Sequence, residues 1–207
     1  MKFDLYNEDI AIMGKGGSGK TALLDRFIGP LMLKSKTRFW IWDTRHQCKL
    51  SGVPVVHTVG ELPVGGSAII KPYDISVENF DKFCSAVLQC ANTVIAVDEV
   101  HLYASKQKFR SEAFYKITTT GRNQGNTLIA ITRRPADTHN DIIADSDHKF
   151  IFNHDLPTDV AYLKKWIGSN ILELAAKPIH TFYYKGPAEE GFYILEFRMG
   201  KVTIKHA

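Results

Sequence analysis

Gly14-Lys15-Gly16-Gly17-Ser18-Gly19-Lys20-Thr21 satisfies G-x-x-x-x-G-K-[ST], the pattern of a P-loop, at every constrained position. A β-phosphate held in a ring of backbone N–H donors leaves no room for a Cβ, which accounts for glycine at 14, 16, 17 and 19. Lys20 supplies a point charge for the β- and γ-phosphates, and the Thr21 hydroxyl suits a Mg²⁺ ion. The dipole of a helix that starts here favours the same anion. Gly14 to Thr21, with Lys15 and Ser18 inside the loop, therefore reads as a site for Mg²⁺ and a nucleoside triphosphate. Its flanks agree. Ile10 to Met13 is an apolar run fit for a buried parallel strand, and Leu23, Leu24 and Phe27 fall on one helical face.

The 207 residues, 44% of them hydrophobic, are enough for one α/β domain with a full core, so residues 1–207 are expected to form a single domain. Lys and Arg number 26 against 22 Asp and Glu, a balance of +4 that permits a nucleic-acid partner without requiring one. The polar, acidic segment 1–9 does not read as a signal peptide, and no apolar run is long enough for a membrane span, which points to the cytoplasm. Cys48, Cys84 and Cys90 cannot all pair, so reduced thiols are expected.

Further along, Gly29-Pro30 is expected to end the first helix, and Arg38 to Asp43 reads as an aromatic-rich strand. Asp43, Thr44 and Arg45 at its C-terminal end either approach a ligand or make a turn or cap. Val53 to His57 and Ser67 to Lys71 are short strand candidates. Val77, Phe80, Phe83, Cys84, Val87, Leu88 and Ala91 form an apolar helical stripe with Ser76 as N-cap. Thr93 to Val97 is then an apolar strand ending in Asp98-Glu99. Hydrophobic residues followed by two carboxylates suit an aspartate that orders a Mg²⁺ shell and a glutamate that polarises the attacking water. With the glycine-rich loop upstream, this implies an additional-strand, catalytic-glutamate P-loop fold of RecA-like type. Its mainly parallel central sheet would be flanked by helices.

Ser111 to Thr120 reads as a helix, followed by Gly121-Arg122-Asn123-Gln124-Gly125, a strand from Leu128 to Thr132, and then Arg133-Arg134-Pro135. Gly-Arg-x-x-Gly, a hydrophobic strand and a Thr-x-Arg-Pro end resemble the FtsK/HerA superfamily of ring-shaped DNA-pumping ATPases. The resemblance implies an arginine finger at Arg122, directed at a neighbouring subunit's nucleotide. It implies a γ-phosphate sensor at position 133, where this chain departs from the family by carrying arginine in place of glutamine. The downstream segments, Lys149 to Phe152, a helix from Pro157 to Gly168, and strands at 181–186, 192–197 and 202–205, resemble the bare core of the genome-packaging ATPases of membrane-containing icosahedral viruses. An antiparallel pair is expected among those last strands.

What the resemblance implies is a Mg²⁺-dependent ATPase that threads double-stranded DNA into a preformed capsid as a pentameric or hexameric ring of its own copies. It would act in the host cytoplasm or at a packaging vertex, with capsid or membrane-vertex proteins as further partners. Lys20, Glu99, Arg122 and Arg133 would carry the chemistry, with Thr21 and Asp98 toward the metal. Lys106, Lys108 and Arg110 either line the pore or belong to a solvated loop. Two other readings stand beside this one: a cellular HerA-like DNA pump, and a non-motor switch of the partition-protein kind. Lys15 resembles the extra lysine of the latter's loop, and its discriminating feature is the absence of a strand between the two motif strands.

Overall fold

The computed structural model describes residues 5, 7–35, 38–187 and 191–206, so the expectation for segment 1–9 falls in part outside the described residues. Short buried runs become strands and amphipathic runs become helices. β1 (Ile10–Met13) leads into α1 (Lys20–Leu23), a wider π turn at Leu24–Ile28 and α2 (Gly29–Lys34). Then come β2 (Arg38–Trp42), β3 (Val55–Val56), β4 (Ala68–Ile70), α3 (Val77–Leu88) and β5 (Thr93–Val97). A small hairpin, β6 (Ala104–Ser105) and β7 (Lys108–Phe109), precedes α4 (Glu112–Thr120), β8 (Thr127–Thr132), α5 (Asn140–Ala144) and β9 (His148–Phe152). The chain closes with α6 (Pro157–Ile167), β10 (Thr181–Lys185), β11 (Tyr193–Arg198) and β12 (Lys201–His206).

Ten strands form one sheet in the order β12-β11-β10-β9-β1-β8-β5-β2-β4-β3. From β9 to β3 every pairing is parallel, while β10, β11 and β12 add antiparallel strands at one edge. The expected antiparallel pair is thus a run of three. β8 lies between β1 and β5, in register Ala11↔Ala130 with one and Ala96↔Ile129 with the other. This is the inserted strand that the catalytic-glutamate reading requires.

Alternation along each strand divides the core between the two faces. Ile10 and Ile12 of β1 pack with Leu23, Leu24 and Ile28, whereas Ala11 and Met13 face Leu163 and Ile167 of α6. Trp40 and Trp42 of β2 meet Phe80, Phe83 and Val87 of α3. Each such aromatic, once buried, contributes about 1.5–3 kcal/mol. Ser76 caps α3 as expected, its Oγ accepting from the Asn79 amide at 3.3 Å; Ser111, expected as the start of the next helix, is its cap, with Oγ accepting from the Phe114 amide at 3.0 Å.

The helix after the loop does not stop at Gly29-Pro30. It continues to Lys34, with Pro30 in the first turn of α2. Proline cannot donate to the preceding turn, and the π turn just before it, in which the Gly29 amide bonds to Leu24 O, absorbs the mismatch. Gly29 is glycine for contact reasons, since a Cβ there would lie 2.8 Å from Leu24 O and from a Leu50 methyl.

Candidate nucleotide site

The parallel arrangement brings the ends of β1, β8, β5 and β2 to one edge of the sheet, and the glycine-rich loop hangs between two of its neighbours. The Gly14 amide donates to Thr132 O at 3.1 Å, at the last residue of β8, and the Lys15 amide to Asn153 O at 2.9 Å, just beyond β9. A Cβ on Gly14 would come within 2.6 Å of Phe152 Cβ. Gly17 and Gly19 take φ of +74° and +109°, a region closed to most L side chains. Around Gly16 and Gly17 the space is open for 4 Å, which is the room a phosphate needs against the backbone.

Lys20 folds back over this loop, its ammonium donating to Gly14 O at 2.5 Å and Lys15 O at 2.9 Å. Burial pushes that ammonium down to about 8, against the pull of Glu99 and Asp98.

Asp98 and Glu99 stand across the cavity. The Asp98 amide continues the ladder to Trp42 O at 3.0 Å, and its Oδ2 accepts from Thr44 Oγ1 at 3.2 Å. Burial raises its carboxyl to about 6, assisted by the charges of Glu99 and Asp43. Glu99 is 5% exposed and sits at φ +52°, a left-handed conformation that costs a non-glycine residue about 1–3 kcal/mol. Its Oε1 is met by Arg133 Nε at 3.0 Å and Arg45 Nη1 at 3.2 Å, while its buried Oε2 has no hydrogen-bond donor among the described residues. His101 Nδ1 lies 3.5 Å from Oε2, and burial lowers the proton affinity of that ring against the pull of Glu99.

Together these groups enclose a cavity of about 250 Å³, lined by Gly16, Gly17, Gly19, Lys20 and Thr21, by Asp98 and Glu99, and by Arg45, Gln47 and Arg133. The oxygen groups among them, the Thr21 hydroxyl and the Asp98 carboxylate, are the hard donors that Mg²⁺ takes. The residue set fits a magnesium triphosphate.

Arg122 is not brought to this cavity. It lies in the turn that enters β8, at the opposite edge of the sheet, paired with Asp9 at 3.1 Å and with Asp147. Lys15 pairs with Asp155 at 3.3 Å, and Arg134 with Asp137 at 2.7 Å and Asp159 at 3.5 Å. Of the residues after β2, Asp43 closes a turn, accepting the amides of Gln47 at 3.1 Å and Cys48 at 2.8 Å, while Thr44 and Arg45 reach the acidic pair. Gln47, His101 and His154 had no sequence signal. His154 is buried beside Lys20, and desolvation first, then that charge, pushes its ring down to about 3.

No family model matches the chain, and no curated protein sequence does. Solved structures do match. The genome packaging NTPase B204 from Sulfolobus turreted icosahedral virus 2, in complex with ATP-gammaS, superposes with a TM-score of 0.75 at 17% identity, covering 91% of this chain and 96% of that one. The fold is shared with a viral genome-packaging NTPase. B204 described as the DNA-packaging ATPase of Sulfolobus Turreted Icosahedral Virus gives 0.73 at 18% identity, over 92% of this chain and 98% of that one. VirB4 of Thermoanaerobacter pseudethanolicus gives 0.67 at 9%, over 92% and 89%. The likeness to B204 thus runs nearly end to end on both sides.

Proposed function

We propose that this chain is a Mg²⁺-dependent ATPase, acting as one domain over residues 1–207, that moves double-stranded DNA into a preformed viral capsid. The observation that carries the reading is the meeting of Lys20, Asp98 and Glu99 on one cavity, with β8 inserted between β1 and β5. That insertion speaks against the partition-type switch. The near end-to-end likeness to B204 supports packaging as the task.

Lys20 exchanges the carbonyls of Gly14 and Lys15 for the β- and γ-phosphate oxygens. Glu99 accepts the proton of the attacking water. Thr21 and Asp98 would hold Mg²⁺, whose chemistry is to neutralise charge on the phosphate oxygens. Arg122, 47% exposed and on the far edge of its own subunit, serves the site of an adjacent copy in a ring and stabilises the leaving phosphoryl charge there.

The hairpin β6–β7 is the DNA-gripping element. Lys106, Gln107, Lys108 and Arg110 are exposed on it, suited to phosphate contacts. It is wired to the nucleotide edge: the Lys106 amide donates to Asp137 O at 2.8 Å, and Thr138, bridged to Ser105, donates to Thr132 Oγ1 at 3.1 Å.

Sizing chromatography with ATPase assays, with and without duplex DNA, tests the reading. Turnover confined to an assembled fraction and raised by duplex DNA is expected. Monomeric turnover indifferent to DNA would remove the motor from the reading and leave a simple nucleotide hydrolase.

A further inference from the structure

Glu99 is held from both sides. β5 lies between β8 and β2 in the sheet, and an arginine just past the end of each neighbour reaches over to the same carboxylate oxygen, Arg133 from one and Arg45 from the other. We propose that Arg45 is a γ-phosphate reader of its own subunit, which with Arg133 holds Glu99 engaged until a terminal phosphate draws both guanidinium groups away. The inference rests on the ATPase reading above and adds a regulatory step to its site.

Charge and geometry carry it. One carboxylate shared by two guanidinium groups leaves an excess positive charge in the cavity, beside Lys20. Among the described residues Glu99 is the only hydrogen-bond or ion-pair partner of either arginine, so most of their N–H donors are uncommitted. Both side chains are partly exposed, at 41% and 45%, and free to swing, whereas Glu99 is fixed by burial and by its left-handed backbone. A phosphate presents more charge than a carboxylate and matches the planar donor fork. With its β-phosphate held by Lys20 and the loop, a triphosphate would turn its γ-phosphate, the group a diphosphate lacks, toward the arginines that line the same cavity. A triphosphate therefore separates the arginines from Glu99 and a diphosphate does not.

The test is the ratio of ATP to ADP affinity, measured by titration calorimetry with Mg²⁺ on the full chain. Arg45→Gln is expected to lower ATP affinity about tenfold, the loss of one charge-assisted contact, and to leave ADP affinity within about twofold. Arg45→Lys is expected to recover part of the loss, keeping the charge without the fork. Glu99→Gln, which removes the arginines' competing partner, is expected to raise ATP affinity and leave ADP affinity unchanged. An ATP-to-ADP ratio in folded Arg45→Gln equal to the parent's would overturn the proposal while leaving the ATPase reading intact. The proposal fails in the same way if Arg133→Gln alone removes the whole discrimination. A parent chain that binds neither nucleotide would overturn both.

Discussion

The ammonium of Lys20 lies 2.5 Å from the carbonyl oxygen of Gly14, so the cation that is to meet the nucleotide is held by the loop that is to cradle it. With that ammonium lowered to about 8, Lys20 is about half neutral at pH 8. A triphosphate favours the charged form and raises the value again, so binding takes up a proton. The sign follows: the group is depressed in the empty protein, and affinity is lost as pH rises through about 8. Calorimetry of ATP binding in EDTA, in two buffers of different ionisation enthalpy, should show uptake of about half a proton or more near pH 8 to 8.5 and almost none near pH 7. Equal uptake at both values would mean that Lys20 does not meet the phosphate.

Replacing Glu99 by Gln keeps the side chain's size and removes its ability to take a proton. Turnover should fall by about 10²–10⁴-fold while ATP remains bound, read by single-turnover kinetics beside equilibrium binding. Retention of parental turnover would show that another group accepts the water's proton.

Arg122 sits far from its own cavity, so its effect should pass between copies. Arg122→Ala and Lys20→Ala are each expected to be inactive, yet a mixture should regain part of the turnover. Interfaces that join an intact cavity to an intact Arg122 then form. A mixture as inactive as its components would sink the trans assignment. The same substitution frees Asp9 and Asp147 from their partner; Asp9 keeps the Leu128 amide at 2.7 Å, which limits the structural cost.

Much of this site could be read from local sequence because its parts are local. The loop at 14–21, the carboxylates at 98 and 99, and the caps at Ser76 and Ser111 each depend on residues a few positions apart. Arg45 was undecidable in the same way that Asp43 was: both are polar residues after a strand. Only the pairing of β2 with β5, residues more than fifty positions apart, leaves one to close a turn and sends the other to Glu99. The strain at Glu99 has no sequence signature either, since glutamate is not a residue that favours a left-handed backbone. Gly29-Pro30 misled for the opposite reason. The local rule for helix ends is sound, but a π turn and the close approach of Leu50 override it.

Trp42 ends β2, and its Nε1 donates to Tyr103 Oη at 2.9 Å, which in turn donates to Ile75 O at 3.2 Å. Tyr103 is fully buried, with its ring stacked 3.7 Å from Phe80. Tyr103→Phe keeps the stack and leaves the buried Trp42 indole N–H without its acceptor, so it should cost about 1–3 kcal/mol in urea unfolding. ATP affinity should change little, because the Asp43 turn that orients Thr44 and Arg45 is untouched. An unchanged midpoint would indicate that water replaces the hydroxyl.

Gly19 combines two demands that can be separated. Its φ of +109° disfavours any side chain, and a Cβ there would lie 2.1 Å from His180 Nδ1. Gly19→Ala should therefore both destabilise the chain, by about 1–3 kcal/mol from the backbone alone, and distort the loop that Lys20 rests on. Adding His180→Ala removes the collision but not the backbone cost. The double variant should recover part of the stability lost and little of the ATP affinity, because affinity depends on the loop's amides pointing inward. Full recovery of both in the double variant would show that contact with His180, and not the left-handed backbone, is why glycine stands at 19.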